Sequence, residues 1–174
     1  GEQMQMTFTH GVWFVPLAAI SPEREDAGEN TYLLDRIATR ISTALGLQLH
    51  GAQHPTQQLT AYLRDKTLLL ILDNFEHLSD GVDLLVTLLQ EAPHVRIVVT
   101  SRHRLRFQAQ LVYQVNGLPL PFENAEETLP ATEFIATYAS LQLFVERAEN
   151  AFLPFAYTTT NLAAVGALCR LLEG

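Results

Sequence analysis

Apolar residues fall into two rhythms along the chain. The first is short and unbroken. Val12-Trp13-Phe14-Val15-Pro16-Leu17 and Leu68-Leu69-Leu70-Ile71-Leu72 do not alternate. Such runs suit strands buried on both faces of a parallel sheet covered by helices. Val95-Arg96-Ile97-Val98-Val99-Thr100 is rich in β-branched residues and follows Pro93, so it predicts a third strand. Leu111-Val112-Tyr113-Gln114-Val115 predicts a fourth, ended by Asn116-Gly117.

The second rhythm is helical. Leu33, Leu34, Ile37, Ile41 and Leu45 share one stripe, with Gly46 as the stop. Leu59, Tyr62 and Leu63 predict a short helix after Pro55. Leu78, Val82, Leu85, Leu88 and Leu89 predict another, with Ser79 or Asp80 as its cap and Pro93 beyond its end. Residues 116–133 then hold three prolines and four glutamates, which reads as an acidic surface connection. Two helices without strands follow. Tyr138, Leu141, Val145 and Ala148 form one stripe. Leu162, Val165, Leu168, Cys169 and Leu172 form the other, capped by Thr158, Thr159 or Thr160.

Strands alternating with helices predict an α/β domain with a mainly parallel sheet. The expected division is an α/β part over 1–120, an acidic linker over 121–135, and the start of a helical subdomain over 136–174. No internal repeat or low-complexity segment is present.

Composition narrows the class. The chain has 174 residues, 48% hydrophobic and 17% charged, which excludes disorder and supplies a sizeable core. No apolar run approaches the roughly 20 residues of a membrane helix. The start, Gly1-Glu2-Gln3-Met4, lacks a signal-peptide pattern. A single cysteine, Cys169, cannot form an internal disulfide and points to a reducing, cytoplasmic setting. The net charge of −8 argues against a domain that grips nucleic acid by its phosphates. Residues 108–174 carry two Lys/Arg against seven Asp/Glu. The one basic cluster, Arg102-His103-Arg104-Leu105-Arg106, reads as a solvated turn or as an anion-facing lip after a strand.

Two strand ends carry candidate chemistry. Leu68–Leu72 drives into Asp73 at the carboxyl end of its strand, where α/β sheets bind ligands. A carboxylate held there can hold Mg²⁺ through water, or it can simply cap the strand. Glu76 lies three residues on and could polarise a water or cap the next helix. Val98-Val99-Thr100-Ser101-Arg102 ends a second strand. Its arginine fork matches phosphate oxygens, although a surface arginine is the plainer reading. Other constellations are weaker. His50 and His54 are four apart, but Gly51 and Pro55 break a helix there, so a metal pair is not expected. His77 has no second ligand near it in sequence. Cys169 reads as a core thiol and Trp13 as a core aromatic. Phe144, Phe152, Phe155 and Tyr157 form a small core or an apolar face left bare. Ser101 and Ser140 lack a nucleophile-elbow pattern.

Six segments occur in one order: His10–Ala18, LLLILDNFEHL, APHVRIVVTSRHRL, VYQVNGLPLP, LQLFVERA and AVGALCRLLEG. That order resembles the nucleotide-binding domain of STAND-type (NB-ARC-like) P-loop signalling ATPases. Such domains occur in bacterial transcriptional regulators of the LuxR and SARP types. The resemblance implies ATP and Mg²⁺ as ligands, with Asp73 as the Mg²⁺-linked Walker B acid. Thr100, Ser101 and Arg102 would form the sensor segment, with Arg102 on the phosphate. Asn74 stands where many relatives have a second aspartate, which leaves Glu76 as the nearest substitute base. Leu118–Pro121 would cross to the helical lid, whose first helix would hold 141–148.

The glycine-rich loop G-x-x-x-x-G-K-[ST] is absent. Lys66-Thr67 has no framing glycine. The expectation is therefore a fragment lacking the P-loop strand, with little nucleotide affinity by itself. Unpaired strand edges would invite self-association or pairing with other domains of the parent. Met4, Met6 and Phe8 alternate like a strand, whereas the resemblance makes them the tail of the P-loop helix. The rival readings are a nucleotide-independent interaction scaffold on the same fold and a complete, unrelated α/β domain.

Overall fold

The computed structural model describes residues 7–21, 30–106, 110–125, 129–151 and 158–172. The chain divides into two compact units, Gly1–Val112 and Tyr113–Gly174.

The first unit is α/β. Strands β1 (Val12–Pro16), β2 (Leu68–Asp73) and β3 (Val95–Val99) form a parallel sheet in the order β1-β2-β3. Helices α1 (Asn30–Ala44) and α2 (Pro55–Leu63) lie between β1 and β2. A 3₁₀ turn (Glu76–Gly81) and helix α3 (Val82–Glu91) connect β2 to β3. Helix α1 stops where its stripe predicts, and Gly46 takes the left-handed conformation with φ 69°. The expected cap at Ser79 or Asp80 is replaced. The 3₁₀ turn occupies those residues, and α3 starts from Gly81 with no side-chain cap.

The core lies on one face of the sheet. Val15, Leu68, Leu70, Leu72 and Val95 point into it and meet Ile37, Ala38 and Ile41 of α1, Leu59 and Leu63 of α2, and Leu84, Leu85 and Leu88 of α3. Each such aliphatic side chain contributes about 1.5–3 kcal/mol on full burial. Trp13 packs at the margin of this core, and its Nε1–H donates to the His10 carbonyl at 2.8 Å.

The opposite face differs from expectation. Phe14, Ile71 and Val98 lie in one row across the three strands. Phe14 is 58% exposed and Val98 49%. The unbroken apolar runs predicted burial on both faces, but the described helices cover only one. Handedness explains this. The chain steps across the sheet in a single direction, and right-handed crossovers then place every connecting helix on the same side.

The fourth expected strand does not form. Leu111–Val115 has no strand pairing, and Leu111, Tyr113 and Val115 are exposed. Their β-branched and aromatic character favours extended backbone, but a strand also needs a neighbour to pair with. Phe8 is likewise outside any strand, and Met4 and Met6 lie outside the described residues.

The second unit is helical, with α4 (Ala131–Thr137), α5 (Ala139–Asn150) and α6 (Thr159–Leu171). Its core holds Ala125, Phe134, Leu141, Leu162, Val165 and Cys169, with Tyr138 and Phe144 packed against it. Helix α4 was not legible as a stripe, because Phe134 is its only buried residue. Tyr138 does not continue a helix. It sits extended between α4 and α5 (φ −115°, ψ 115°) and meets Phe134 edge to face at 5.6 Å. Thr158 is the cap of α6, accepting from the Asn161 amide at 3.2 Å. Leu168 and Leu172, expected on the buried stripe, are exposed. Phe152, Phe155 and Tyr157 lie outside the described residues.

Candidate functional site

The carboxyl ends of the strands gather the polar residues. Asp73 closes β2, and Thr100 follows β3 directly. Leu72 pairs with Val99, so the next positions, Asp73 and Thr100, emerge side by side. The Thr100 hydroxyl donates to Asp73 Oδ1 at 2.7 Å and accepts from the Asn74 amide at 2.9 Å. The backbone ties the same corner. Phe75 N–H donates to the Thr100 carbonyl at 3.0 Å, Thr100 N–H to the Leu72 carbonyl at 3.0 Å, and Leu17 N–H to the Asp73 carbonyl at 3.0 Å. Asn74 makes the turn in the left-handed region at φ 66°. That region disfavours most side chains but tolerates asparagine. Phe75, fully buried, anchors the turn in the core.

Glu76 opens the 3₁₀ turn as its first residue. Its Oε1 lies 3.7 Å from Arg102 Nε, with Glu76 mostly buried and Arg102 86% exposed. That separation exceeds hydrogen-bonding range, so the pair is a loose ionic contact. Ser101 belongs to its own turn. Its hydroxyl donates to the His103 carbonyl at 2.7 Å and accepts from the His103 amide at 3.2 Å. Of the five residues read from the sequence, the structure joins Asp73 to Thr100 and Glu76 to Arg102, and it turns Ser101 to its own loop. The neighbouring His77 has a buried Nε2 without a hydrogen-bond partner.

The donor set decides what could sit here. Among the described residues, Asp73 Oδ2 has no hydrogen-bond partner, and no group of three or more His, Cys, Asp or Glu is arranged to hold a metal. An all-protein cage does not fit. A Mg²⁺ held by one carboxylate, waters and phosphate oxygens does.

A second polar cluster, away from the strand ends, escaped the sequence reading. Asp35 on α1 accepts from His54 Nδ1 at 2.8 Å, Thr56 Oγ1 at 2.7 Å and Thr56 N–H at 3.2 Å. A carboxylate from one helix thus caps the start of another. Burial pushes the Asp35 carboxyl up, but the hydrogen bonds from His54 and Thr56 and the His54 charge outweigh it, and the group sits below its ordinary range. The Cys169 thiol is buried in the second unit, 3.8 Å from the Ser140 carbonyl. Burial pushes it up, against smaller opposing effects of that bond and of Arg170.

Comparison with known proteins gives a coarse placement. No family model matches the chain, and no solved structure does. A Mycobacterium tuberculosis protein described as uncharacterized is 27% identical over 175 residues, which cover 100% of this chain and 38% of that protein. A second M. tuberculosis protein is 27% identical over 139 residues, 79% of this chain and 14% of that protein. Its name assigns it provisionally to the HTH-type transcriptional regulators. Mycobacterium bovis has proteins of the same descriptions at the same identities. The chain therefore spans under two fifths of the curated relatives it matches. Its similarity is to a regulator-related protein. Among the described residues, no helix is long and apolar enough to cross a membrane.

Proposed function

We propose that this chain is part of the nucleotide-dependent switch module of a transcriptional regulator, in a signal-transduction ATPase of the STAND type. The observation that carries the reading is the corner at the carboxyl ends of β2 and β3. There Asp73, hydrogen-bonded to Thr100, keeps Oδ2 without a partner among the described residues, and Arg102, two positions after Thr100, contacts Glu76 of the turn that follows Asp73. The similarity to an HTH-type regulator supports the regulatory half.

Asp73 would hold Mg²⁺ through water. Arg102, exposed and only loosely held by Glu76, would be free to reach a terminal phosphate. Glu76 would orient an attacking water. Mg·ATP supplies, when bound, the phosphoanhydride whose cleavage resets such a switch. Other parts of a longer polypeptide, or a second copy, would be the partners, in a cytoplasmic setting. Nucleic acid would be read by a different domain, since this chain carries a charge of −8.

A nucleotide-independent interaction scaffold is the second reading. Asn74, at the position where a second acid would serve as base, favours it.

Titration of Mg·ATP followed by amide NMR separates the two, because it detects millimolar binding. The expected result is shifts at Asp73, Asn74 and residues 100–102 whose titration is markedly weakened, but still measurable, in Asp73→Ala. Shifts of the same size and midpoint in Asp73→Ala overturn the ATPase reading in favour of the scaffold.

A further inference from the structure

Each polar group of Thr100 is engaged within the corner. Its N–H bonds the Leu72 carbonyl, its C=O accepts from Phe75, and its hydroxyl bridges Asn74 and Asp73. The direction of that bridge is fixed. A backbone amide can only donate, so the Asn74 N–H takes a lone pair of the Thr100 oxygen. The single hydroxyl proton is then left for Asp73 Oδ1. Asn74 presents its amide from the φ 66° turn, and this donor sets the polarity of the whole relay. One carboxylate oxygen of Asp73 is thereby held, and Oδ2 is the oxygen left for a ligand.

We infer that Thr100 is a positioning residue that acts through Asp73, rather than a residue that touches nucleotide. The inference rests on the proposed Mg·ATP site and assigns the roles within it. Asp73 Oδ2 would accept from a Mg²⁺-bound water, Thr100 orients that carboxylate, and the Asn74 amide orients Thr100. Hydrogen-bond partners of this kind behind a metal ligand are typically worth about 10- to 100-fold in metal affinity.

Mn·ATP serves as the probe, read by paramagnetic broadening of the amides of 73–76 and 100–102 and by the free Mn²⁺ signal. Thr100→Val keeps the shape and removes the hydroxyl, and it should weaken binding about tenfold. Thr100→Ser keeps the hydroxyl and should stay within about twofold of the wild type, a rescue that shape alone does not give. If Thr100→Val fails to fold, Thr100→Cys, with its weak donor, should weaken binding in the same direction. The deciding measurement is the double variant. Asp73→Ala/Thr100→Val should bind no worse than Asp73→Ala alone, because the two residues act in series.

Additive losses would mean that Thr100 meets the ligand directly and would overturn the inference while leaving the nucleotide site standing. Wild-type binding by Thr100→Val would also overturn it alone. Unchanged binding by Asp73→Ala would remove the site itself, and the inference with it.

Discussion

Removing the Asp35 carboxylate tests how the first unit holds α2 against α1. Three hydrogen bonds converge on it, from His54 Nδ1, Thr56 Oγ1 and Thr56 N–H. Loss of the bond to the first-turn amide resembles loss of a helix cap, about 1 kcal/mol. The hydroxyl bond to a charged acceptor contributes about 1.5 kcal/mol. The pair with His54 adds at most about 1 kcal/mol, since His54 is 60% exposed and screened. Asp35→Ala should therefore destabilise by about 2–3 kcal/mol. Asp35→Asn, which keeps one acceptor oxygen, should cost less.

Urea unfolding followed by Trp13 fluorescence reads this directly, because the single tryptophan lies in the first unit. The pH dependence has a defined sign. The native carboxyl titrates below its unfolded value, so its contribution is full above the ordinary carboxylate pKa. That contribution fades as pH falls through the lower native value. The gap between wild type and Asp35→Ala should close in acid. A gap that is absent at neutral pH, or that widens as pH falls, would refute the assignment.

Three further outcomes follow from packing. A Cβ at Gly81 would overlap Ile37 Cδ1 and sit 3.6 Å from Phe75 Cζ; Gly81→Ala should cost about 1–3 kcal/mol in urea unfolding, with partial recovery in Ile37→Val. Thr158→Ala removes the α6 cap and should cost about 1 kcal/mol, seen as roughly fivefold faster amide exchange in the first turn of that helix. Cys169 should react slowly with a disulfide reagent in the native protein and quickly in urea, because the buried thiol holds its proton.

Much of the first unit was legible because short unbroken or β-branched apolar runs read differently from helical stripes. The stripe from Leu33 to Ile41 carries the helical period, and Leu68–Leu72 is a short unbroken run whose length, between Lys66-Thr67 and Asp73, suits a strand. The sidedness of the sheet was not, since an apolar residue such as Phe14 looks the same whether or not a helix covers it. Leu111–Val115 failed for a related reason: propensity belongs to a segment, whereas a strand belongs to a pair. In the candidate site, Asp73 and Thr100 stood out singly as strand-end polar residues. Their adjacency depends on the register of β2 with β3, which no local pattern encodes. The left-handed turn at Asn74 and the Asp35–His54 contact, 19 positions apart, needed three dimensions as well.

The one-way order of the sheet also orders its assembly in time. Leu68 meets Val95 across 27 positions, while Val12 meets Leu69 across 57. Closing the longer loop costs about 0.7 kcal/mol more, which favours the shorter closure roughly threefold. The β2–α3–β3 unit is then the earlier to form, and β1 adds to an edge that already exists. Substitutions in α3 should slow folding, whereas those in β1 should mainly speed unfolding. The hydroxyl bond that joins Asp73 to Thr100 lies within the early unit and so outlasts any fraying of β1, whereas the Leu17 bond to the Asp73 carbonyl arrives only with that strand.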